Sequence, residues 1–514
     1  MIKKTFFFIL CFFILNLSLF SYSFEKGGRV LIYTNYEPKT LIPIFEYNNE
    51  IKNIYNLVYS GLLGIDDNFE YYPDLAVYIP TVYNRGVEYI NDKMVVTYKL
   101  RDLIFWHDGK PITSEDIKFT WQLYINTDIE KDKNIDIEGY RLIQRIETPD
   151  EKTIKIYFDK NYSNYKSLFK YILPKHAFVN TKISKNHWFN KNPIGSGPFK
   201  LVEWKNNYLV LDSNKRYYKN KSYLDQIVIM YSKFNNDILE NFNNKKIHIL
   251  DTDLKNISYN KNFVKIPENY LEEIIFNTKD SYMSDLNLRK AIAYLINREE
   301  LLKNNKDLVP AWSDIHPNSQ IYDNYLKNKY FYDYKKSNYY FDKSLWRVNP
   351  KTGFRENNKK EELNLNILFT KSDIHYKIAN YLKNNLKILG VKTTLKEVNE
   401  EDIKNNNYDI LIYKRFITTD GSEREYYFSE NRIIPNGKNF SKYSNQTLQA
   451  ILSDVSRLSD KNSQKIINNI LAEEIPTLPL FIYVKNILVA DNLNNFRPNL
   501  YSGNTWNSFE WWLN

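Results

Sequence analysis

The second half of the chain alternates strand, helix and strand, and this alternation constrains the fold more than any other feature. Residues 363–370 (LNLNILFT) have the apolar content of a strand. Residues 375–389 follow with apolar side chains at helical spacing, and Gly390 is placed to end that helix. Residues 391–398 and 408–413 have the pattern of two more strands. Because strands separated by helices form parallel sheets, the pattern predicts an α/β fold.

The first half of the chain is richer in predicted strands. A buried strand is predicted at 29–34, followed by a helix over 50–63. Further strands are predicted within 87–100, within 139–160, where a Pro-Asp turn would join two of them, and within 195–230. We therefore expect a largely β first half with few helices.

Two further helices are predicted nearer the C-terminus. One covers 286–302, with Asp285 as its N-cap, and the other covers 463–474, before an apolar strand that begins with two prolines. The chain shows no internal repeat and no flexible linker. At 514 residues it has room for two or three domains, which we expect to be joined by strands and not by a tether.

The stretch from residue 105 to 121 (FWHDGKPITSEDIKFTW) concentrates one histidine and three acids: His107, Asp108, Glu115 and Asp116. A metal site or an acid/base pair is one interpretation. Helix initiation explains the acids without chemistry, because Thr113 suits an N-cap and Asp116 a capping-box acid, and both carboxylates favour the first turn. Asp-Gly is turn material. We therefore interpret this stretch as structural.

Other signals of catalysis or metal binding are weak. The six histidines form no His-x-His or His-x-x-x-His pair. Gly-Ser-Gly at 195–197 is not a G-x-S-x-G elbow and has no phosphate-loop lysine, so it is interpreted as a tight turn. The many aromatic residues suit core packing or a pocket, and their spacing singles none out. We expect no catalytic residue, no bound metal and no cofactor.

The N-terminus is typical of a secretory leader. A short basic region precedes an uncharged run over 5–20, and the small residues Ser21 and Ser23 suit cleavage after residue 23. Residues 1–23 are therefore predicted to be a signal peptide of an exported, periplasmic protein, with an uncleaved leader acting as membrane anchor as the alternative. Cys11, the only cysteine, lies in the leader and lacks the preceding small residue of a lipoprotein. The mature chain would have no thiol chemistry.

The formal net charge of +10 raises nucleic acid as a partner. The basic residues, however, are interleaved with Asn, Asp and Glu, and there is no run of five like charges and no arginine-rich tract. We therefore expect a solvated basic surface and no nucleic-acid partner.

Five blocks of sequence, in order, resemble one family. They cover 54–76, 96–121, 192–204, 274–301 and 473–484. The second block contains His-Asp-Gly followed by Pro, Thr and an acid, and the third resembles the family's Gly-Thr-Gly-Pro turn with serine in place of threonine. The chain resembles the family 5 extracellular solute-binding proteins, which serve ABC importers for oligopeptides, dipeptides and nickel complexes.

The resemblance implies an α/β, two-lobed architecture of the periplasmic-binding-protein type II (Venus-flytrap) kind, with an inserted β-rich subdomain. The implied segments are 24–50, 175–275 and 483–514 for lobe 1, 51–174 for the inserted subdomain, and 276–482 for lobe 2. Two crossing strands, near Leu271–Asn277 and Leu480–Val489, would form the hinge. Closure would be favoured because only the closed state contacts the ligand from both lobes.

The function implied by the resemblance is that of a non-catalytic extracytoplasmic receptor, not an enzyme. It would capture oligopeptides by lobe closure and deliver them, as a monomer, to permease subunits of an ABC importer at the inner membrane. A receptor for a nickel chelate, a sugar or a signalling molecule is the alternative on the same fold. A secreted hydrolase is the alternative from another class of protein.

Family members that bind peptides supply an aspartate for the terminal ammonium of the ligand, because an unpaired buried charge is too costly. In 408–428 (YDILIYKRFITTDGSEREYYF) Asp420 occupies the matching place. Thr-Asp-Gly is also ordinary turn chemistry, and Glu423 and Glu425 are the alternative carboxylates. The tryptophan and proline that neighbour this aspartate in the family are missing here, which leaves the ligand class open.

Overall fold

The structure, a computed structural model, describes the chain from residue 27 to residue 514, with gaps at 47, 92, 126–136, 180–182, 185–186, 220, 253–262, 280, 304, 320, 328, 419–420, 422, 454–459 and 500. The chain divides into two units: unit 1 comprises Met1–Val264 and Ile487–Asn514, and unit 2 comprises Lys265–Asn486. The predicted signal peptide, residues 1–23, lies outside the described residues.

The strands of the described residues are β1 (Arg29–Thr34), β2 (Leu63–Ile65), β3 (Tyr71–Pro73), β4 (Val87–Ile90), β5 (Lys93–Lys99), β6 (Ile143–Asp150), β7 (Thr153–Phe158), β8 (Phe199–Lys205), β9 (Tyr208–Ser213), β10 (Gln226–Tyr231), β11 (Ile249–Asp251), β12 (Val264–Phe276), β13 (Leu308–Pro310), β14 (Arg347–Val348), β15 (Arg355–Glu356), β16 (Asn364–Thr370), β17 (Lys392–Val398), β18 (Ile410–Phe416), β19 (Thr477–Val489), β20 (Leu493–Asn494) and β21 (Trp512–Leu513).

The α-helices are α1 (Asn49–Val58), α2 (Ser114–Tyr124), α3 (Glu138–Arg141), α4 (Asn236–Asn243), α5 (Leu286–Leu295), α6 (Arg298–Leu302), α7 (Tyr334–Lys343), α8 (Asp373–Ile388), α9 (Glu423–Phe428), α10 (Gln446–Leu452) and α11 (Lys461–Glu474). None of the helices in the described part of the chain has the length and hydrophobicity of a transmembrane segment.

Unit 1 contains a mixed sheet in the strand order β11-β1-β10-β9-β8. The predicted strand RVLIYT is β1, and it pairs in parallel with both β10 and β11. The strands β9 and β8 continue the sheet as antiparallel neighbours. At the other edge, Leu488 and Val489 at the end of β19 pair with β11. Because β10 and β11 are both parallel to β1, the carboxyl ends of these three strands lie at the same end of the sheet.

A second sheet of unit 1 has the order β4-β5-β7-β6 and is antiparallel throughout. The hairpin predicted within 87–100 is β4 and β5, and the pair predicted within 139–160 is β6 and β7. The turn between β6 and β7 is Glu151 and Lys152, two residues later than the predicted Pro-Asp turn. Asp150 ends β6, and its side chain accepts from the backbone N–H of Lys152 at 2.8 Å. This sheet lies within the span predicted for the inserted subdomain.

Unit 2 contains a sheet in the order β17-β16-β18-β12-β19, with β13 also paired to β19. The strand β16 is parallel to both β17 and β18, as the alternation of strand and helix predicts. The strand β12 is antiparallel to β18. The α/β character predicted for this half of the chain is confirmed.

The helix α8 covers unit 2's sheet with the apolar face predicted from its spacing. Ile378, Leu382 and Leu386 are fully buried, and they belong to the core cluster that also contains Ile367 of β16. Gly390 follows the helix with φ +77°, the left-handed conformation that favours glycine. Helix, glycine and strand therefore follow one another as the sequence predicts.

Two predicted helices end differently in the structure. The helix predicted over 50–63 stops at Val58, because the carbonyl oxygen of Val58 accepts from the backbone N–H groups of Ser196 and Gly197 at 3.0 and 2.8 Å. The helix predicted over 286–302 is two helices, α5 and α6. Asn297 breaks it by capping α6, accepting from the N–H of Glu300 at 3.2 Å. The predicted cap of α5, Asp285, is confirmed.

The chain passes from unit 1 to unit 2 after Val264 and returns at Ile487. The second crossing lies inside Leu480–Val489, where a hinge strand is expected, and the first precedes Leu271–Asn277 by several residues. The division of lobe 1 into 24–50, 175–275 and 483–514, with 51–174 inserted, stays a prediction.

Candidate functional site

Unit 2 carries two charged doublets inside apolar strands. The strand β12 contains Glu272 and Glu273, and its neighbour β18 contains Lys414 and Arg415. In the antiparallel pairing Glu272 lies opposite Lys414, and Leu271 lies opposite Arg415. Because successive side chains of a strand point to opposite faces, each doublet is divided between the two faces of the sheet. Glu272 and Lys414 share one face, and Glu273 and Arg415 share the other.

Glu272 is fully buried and has a histidine partner. Its Oε2 lies 2.6 Å from Nε2 of His375, and its Oε1 accepts from the hydroxyl group of Tyr483 at 2.6 Å. Nδ1 of His375 lies 2.9 Å from the carbonyl oxygen of Thr370, the last residue of β16. His375 stands in the first turn of α8. These groups therefore gather at the carboxyl end of a parallel strand, where α/β proteins bind ligands.

Lys414 is exposed on the same face of the sheet. Its Nζ lies 4.2 Å from the centre of the Tyr270 ring and 4.2 Å from that of the Tyr483 ring. Two aromatic faces hold the ammonium group electrostatically while its charge stays accessible. An ammonium group placed in this way can pair with a ligand carboxylate.

On the opposite face, five buried charged residues form the Arg415 cluster: Glu273, Asp314, Arg415, Glu423 and Arg424. Nε of Arg415 lies 3.0 Å from Oε1 of Glu273, and its Nη2 lies 3.5 Å from Oδ2 of Asp314. Nε of Arg424 donates to Oδ2 of Asp314 at 3.0 Å. The cluster therefore joins β12, β18, the loop after β13, and α9.

The Arg415 cluster has three carboxyl groups against two guanidinium groups. Burial raises the pKa of Glu273 and the pKa of Glu423 to about 7, against the attraction of Arg415. Burial opposes ionisation of Asp314 too, but the charges of Arg424 and Arg415 hold its pKa at about 2. The excess acid is therefore neutralised near pH 7 by a proton or by a cation that takes its place.

Two carboxylates of the cluster, Glu423 and Glu273, each have one oxygen without a hydrogen-bond partner among the described residues, and in Glu273 it is Oε2. In Glu423, Oε2 accepts from the hydroxyl group of Thr418, whereas Oε1 has no such partner. An unsatisfied buried carboxylate oxygen is costly, and a ligand ammonium group would satisfy it.

The carboxylates predicted to bind the ligand have different surroundings. Asp420 lies outside the described residues. Glu423 is buried in the Arg415 cluster at the start of α9. Glu425 is partly exposed, with its Oε1 3.3 Å from Nε of Arg432. The structure thus brings Glu423, but not Glu425, to Arg415. The ligand-binding roles of Asp420, Glu423 and Glu425 stay predictions.

Sequence reasoning missed five charged or titratable residues on the two faces of this sheet. They are Glu272, His375 and Lys414 on one face, and Glu273 and Arg415 of the Arg415 cluster on the other. The signal was present in LEEIIF and ILIYKRF, where adjacent charges interrupt strands that are otherwise apolar. Charges buried on both faces of a sheet need partners, so such doublets indicate ion-pair clusters or a binding site.

Unit 1 has a polar pocket of about 620 Å³ at the carboxyl ends of its parallel strands. Asn35 and Glu37 follow β1, Ser232 and Lys233 follow β10, and the β8–β9 turn supplies Asn206 and Asn207. The volume lies in the range of small-molecule sites, and the lining of amide, carboxylate and ammonium groups suits a ligand with peptide-like polar groups. The polar run TNYEP directly after a buried strand is the sequence signal that would have identified it.

The acids of the 105–121 stretch start α2, as predicted. Thr113 is the N-cap, and its backbone N–H donates to Oδ2 of Asp116 at 2.9 Å, which confirms the capping box. Oδ1 of Asp116 also accepts from the backbone N–H of Lys175 at 2.8 Å. Burial raises the pKa of Asp116. The carboxylate thus joins the helix to a second segment of the chain.

His107 joins two glycines of the 195–197 turn. Its Nε2 lies 3.1 Å from the carbonyl oxygen of Gly197, and its Nδ1 accepts from the backbone N–H of Gly195 at 3.2 Å. Burial lowers the pKa of His107 to about 4, so the ring is neutral at pH 7. No group of three or more His, Cys, Asp or Glu side chains in the described part of the chain is arranged to hold a metal ion. The His-Asp-Gly stretch and the Gly-Ser-Gly turn therefore contact each other, and the contact is structural.

Comparison with known proteins extends this description. The sequence pattern of the bacterial extracellular solute-binding proteins, family 5 Middle, matches residues 70–431. The oligopeptide-binding protein AppA of Bacillus subtilis is 23% identical, over 95% of this chain and 92% of its own length. Its structure in complex with a nonapeptide is similar with a TM-score of 0.55, at 21% identity over 96% of this chain and 100% of that one.

Two further solved structures share the fold. HbpA2 from Haemophilus parasuis is similar with a TM-score of 0.75, at 15% identity over 95% of this chain and 100% of that one. NikZ from Campylobacter jejuni, solved in complex with Ni(L-His), is similar with a TM-score of 0.55, at 22% identity over 95% and 99%. These similarities confirm the predicted two-lobed α/β fold class, and the chain belongs to the family 5 bacterial extracellular solute-binding proteins.

Proposed function

We propose that this protein is a non-catalytic extracytoplasmic receptor that captures oligopeptides by lobe closure and delivers them to an ABC importer. The observation that carries the proposal is the family match over 70–431, together with an oligopeptide-binding relative that covers nearly the whole chain. A second relative, the oligopeptide-binding protein OppA of Bacillus subtilis, is 23% identical over 91% of the chain.

The described residues suit a peptide. A peptide offers an ammonium group, a carboxylate and a series of backbone amides. Unit 2 supplies excess buried acid in the Arg415 cluster and an accessible ammonium group at Lys414. Unit 1 supplies amide side chains and Glu37 around its polar pocket.

We assign the terminal ammonium group of the peptide to Asp420, with Glu423 and Glu425 as the alternative carboxylates. Calorimetry with an unmodified and an N-acetylated peptide tests the assignment. Asp420→Ala should weaken binding of the unmodified peptide a hundredfold or more, because a buried charge loses its partner. The N-acetylated peptide should bind wild type and variant equally. Glu430→Gln, a change at an exposed carboxylate outside the predicted ligand-binding set, is the matched control and should leave the affinity unchanged. Unchanged affinity in Asp420→Ala would overturn the assignment.

The same receptor role with a nickel chelate is the second candidate, since NikZ was solved with Ni(L-His). Native mass spectrometry of the purified protein distinguishes the candidates by the mass of any co-purified ligand. A peptide mass supports the proposal, whereas a nickel isotope pattern supports the second candidate. Incubation with short peptides tests the non-catalytic role, because recovery of cleaved peptide would indicate a hydrolase.

A further inference from the structure

A strongly basic segment surrounds α7 in unit 2. Between residues 327 and 348 the chain carries six lysine or arginine side chains and two aspartates. Both aspartates have structural partners: Asp333 caps α7 by accepting from the backbone N–H of Lys336 at 3.0 Å, and Asp342 lies 2.8 Å from Nη1 of the buried Arg355. Three of the cations have acidic partners: Lys329 pairs with Glu473, Lys336 lies 4.0 Å from Oδ2 of Asp333, and Arg347 lies 3.7 Å from Oδ1 of Asp342. Six cations against these three acids leave the segment with a positive excess.

One face of α7 gathers the cations. Lys335, Tyr339 and Lys343 are spaced four residues apart, with Lys336 beside them, and all four are exposed. At about 100° per residue these side chains occupy an arc of about 100°. Ser337 and Phe341 are buried on the opposite side of the helix. We call the four exposed residues the α7 basic face.

Large apolar side chains are exposed at both ends of this face. Before the helix, Phe331, Tyr332 and Tyr334 are 51%, 46% and 39% exposed, and after it Leu345 and Val348 are 62% and 46% exposed. Single exposed apolar residues are ordinary, but several within one short segment, interleaved with cations, mark an interaction surface.

We propose that the α7 basic face and its flanking apolar residues form a docking surface for a membrane of anionic phospholipids. The positive charge complements anionic headgroups, and tyrosine rings and lysine stems place apolar carbon at the headgroup level while their polar ends stay in water. A helix with its cations along one exposed face can lie in the plane of such a surface. The inference is independent of the ligand carried and of the residues that bind it.

Vesicle co-sedimentation tests the proposal on exported, purified protein. Wild type should bind vesicles of mixed phosphatidylglycerol and phosphatidylcholine and should not bind phosphatidylcholine alone, with binding that falls as salt rises. Lys335→Gln/Lys343→Gln should weaken binding about thirtyfold, because each cation close to an anionic surface contributes about fivefold. Lys383→Gln/Lys387→Gln, at exposed positions of α8, makes the same change in net charge and should leave binding within about twofold.

A second pair of variants separates the apolar contribution from charge. Tyr332→Ser/Tyr339→Ser should weaken vesicle binding roughly tenfold. Tyr83→Ser/Tyr89→Ser removes two exposed rings from unit 1 and should have no effect. Peptide affinity and thermal stability should stay at wild-type values in all four variants, because every replaced side chain is exposed.

Three results would overturn the proposal. The first is that the wild-type protein does not bind anionic vesicles. The second is that Lys383→Gln/Lys387→Gln weakens vesicle binding as much as Lys335→Gln/Lys343→Gln does. The third is that the protein binds soluble poly-glutamate and not vesicles, which would indicate an acidic protein partner. A failure of the oligopeptide proposal would leave all of these measurements unaffected.

Discussion

At the scale of single residues, His107 is held by hydrogen bonds to the backbone of Gly195 and Gly197. His107→Ala should lower the free energy of unfolding by about 1–3 kcal/mol, because it leaves the N–H of Gly195 and the carbonyl of Gly197 without this partner. Urea unfolding measures the loss, and calorimetry should show unchanged peptide affinity. Lost affinity with unchanged stability would contradict the structural role.

The contribution of His107 to the free energy of unfolding also depends on pH. Because burial lowers its pKa to about 4, below the usual 6.5, protons bind the unfolded chain first as the pH falls. Its stabilising contribution is therefore present above pH 6.5 and lost as the pH falls towards 4. The stability difference between wild type and His107→Ala should narrow over that range.

Glu423 should show the opposite dependence. Burial raises its pKa to about 7 from the usual 4.5, so the folded protein binds a proton that the unfolded chain has already released. Its contribution to stability is present below pH 4.5 and lost as the pH rises through 7. Relative to wild type, Glu423→Gln should gain up to about 3 kcal/mol in free energy of unfolding between pH 5 and pH 8.

Urea unfolding at pH 5, 6, 7 and 8 measures that difference. Glu425→Gln, at the partly exposed carboxylate paired with Arg432, is the control. Parallel pH profiles for wild type and Glu423→Gln would show that Glu423 does not hold the proton.

At the scale of elements, the end of α1 depends on a close approach by the 195–197 turn. A Cβ atom at Gly195 would lie 1.9 Å from the carbonyl oxygen of Val58, far inside van der Waals contact. Gly195→Ala should therefore destabilise the protein by about 3 kcal/mol or more, since backbone and not a flexible side chain would have to move.

Thermal unfolding compares Gly195→Ala with Gly353→Ala. A Cβ at Gly353 would meet nothing within 4 Å, but its φ is +74°. Gly353→Ala therefore measures only the cost of placing alanine in a left-handed backbone conformation, about 1–2 kcal/mol of lost stability. Equal losses in the two variants would contradict the steric account.

Most elements could be predicted from the sequence because apolar periodicity decides which face is buried. The helix α8 and the strands β16, β17 and β18 lie where the pattern places them. Element ends were less accurate where a distant partner decides them. The helix α1 stops where another loop donates to its last carbonyl, and α6 starts anew because Asn297 supplies a cap inside a continuous apolar pattern.

At the scale of the whole molecule, a ligand that binds only the folded protein must stabilise it. An oligopeptide at a hundred times its dissociation constant should raise the free energy of unfolding by about 2.7 kcal/mol. Differential scanning fluorimetry over a peptide series measures this as a rise in Tm, and free amino acids at equal concentration are the control. The absence of a shift across di- to nonapeptides would contradict the oligopeptide proposal and leave the nickel-chelate candidate.

The sequence by itself determined the fold class, the family and the structural nature of the 105–121 stretch, because each depends on local spacing: periodicity, a capping box and five ordered blocks. Only the tertiary structure decided which charges meet. Glu273 and Arg415 are 142 positions apart and become partners because β12 and β18 pair in one register, and Asp314 reaches them from a loop between the two. Partners brought together by strand register leave no local signal, and for that reason the charged clusters were missed.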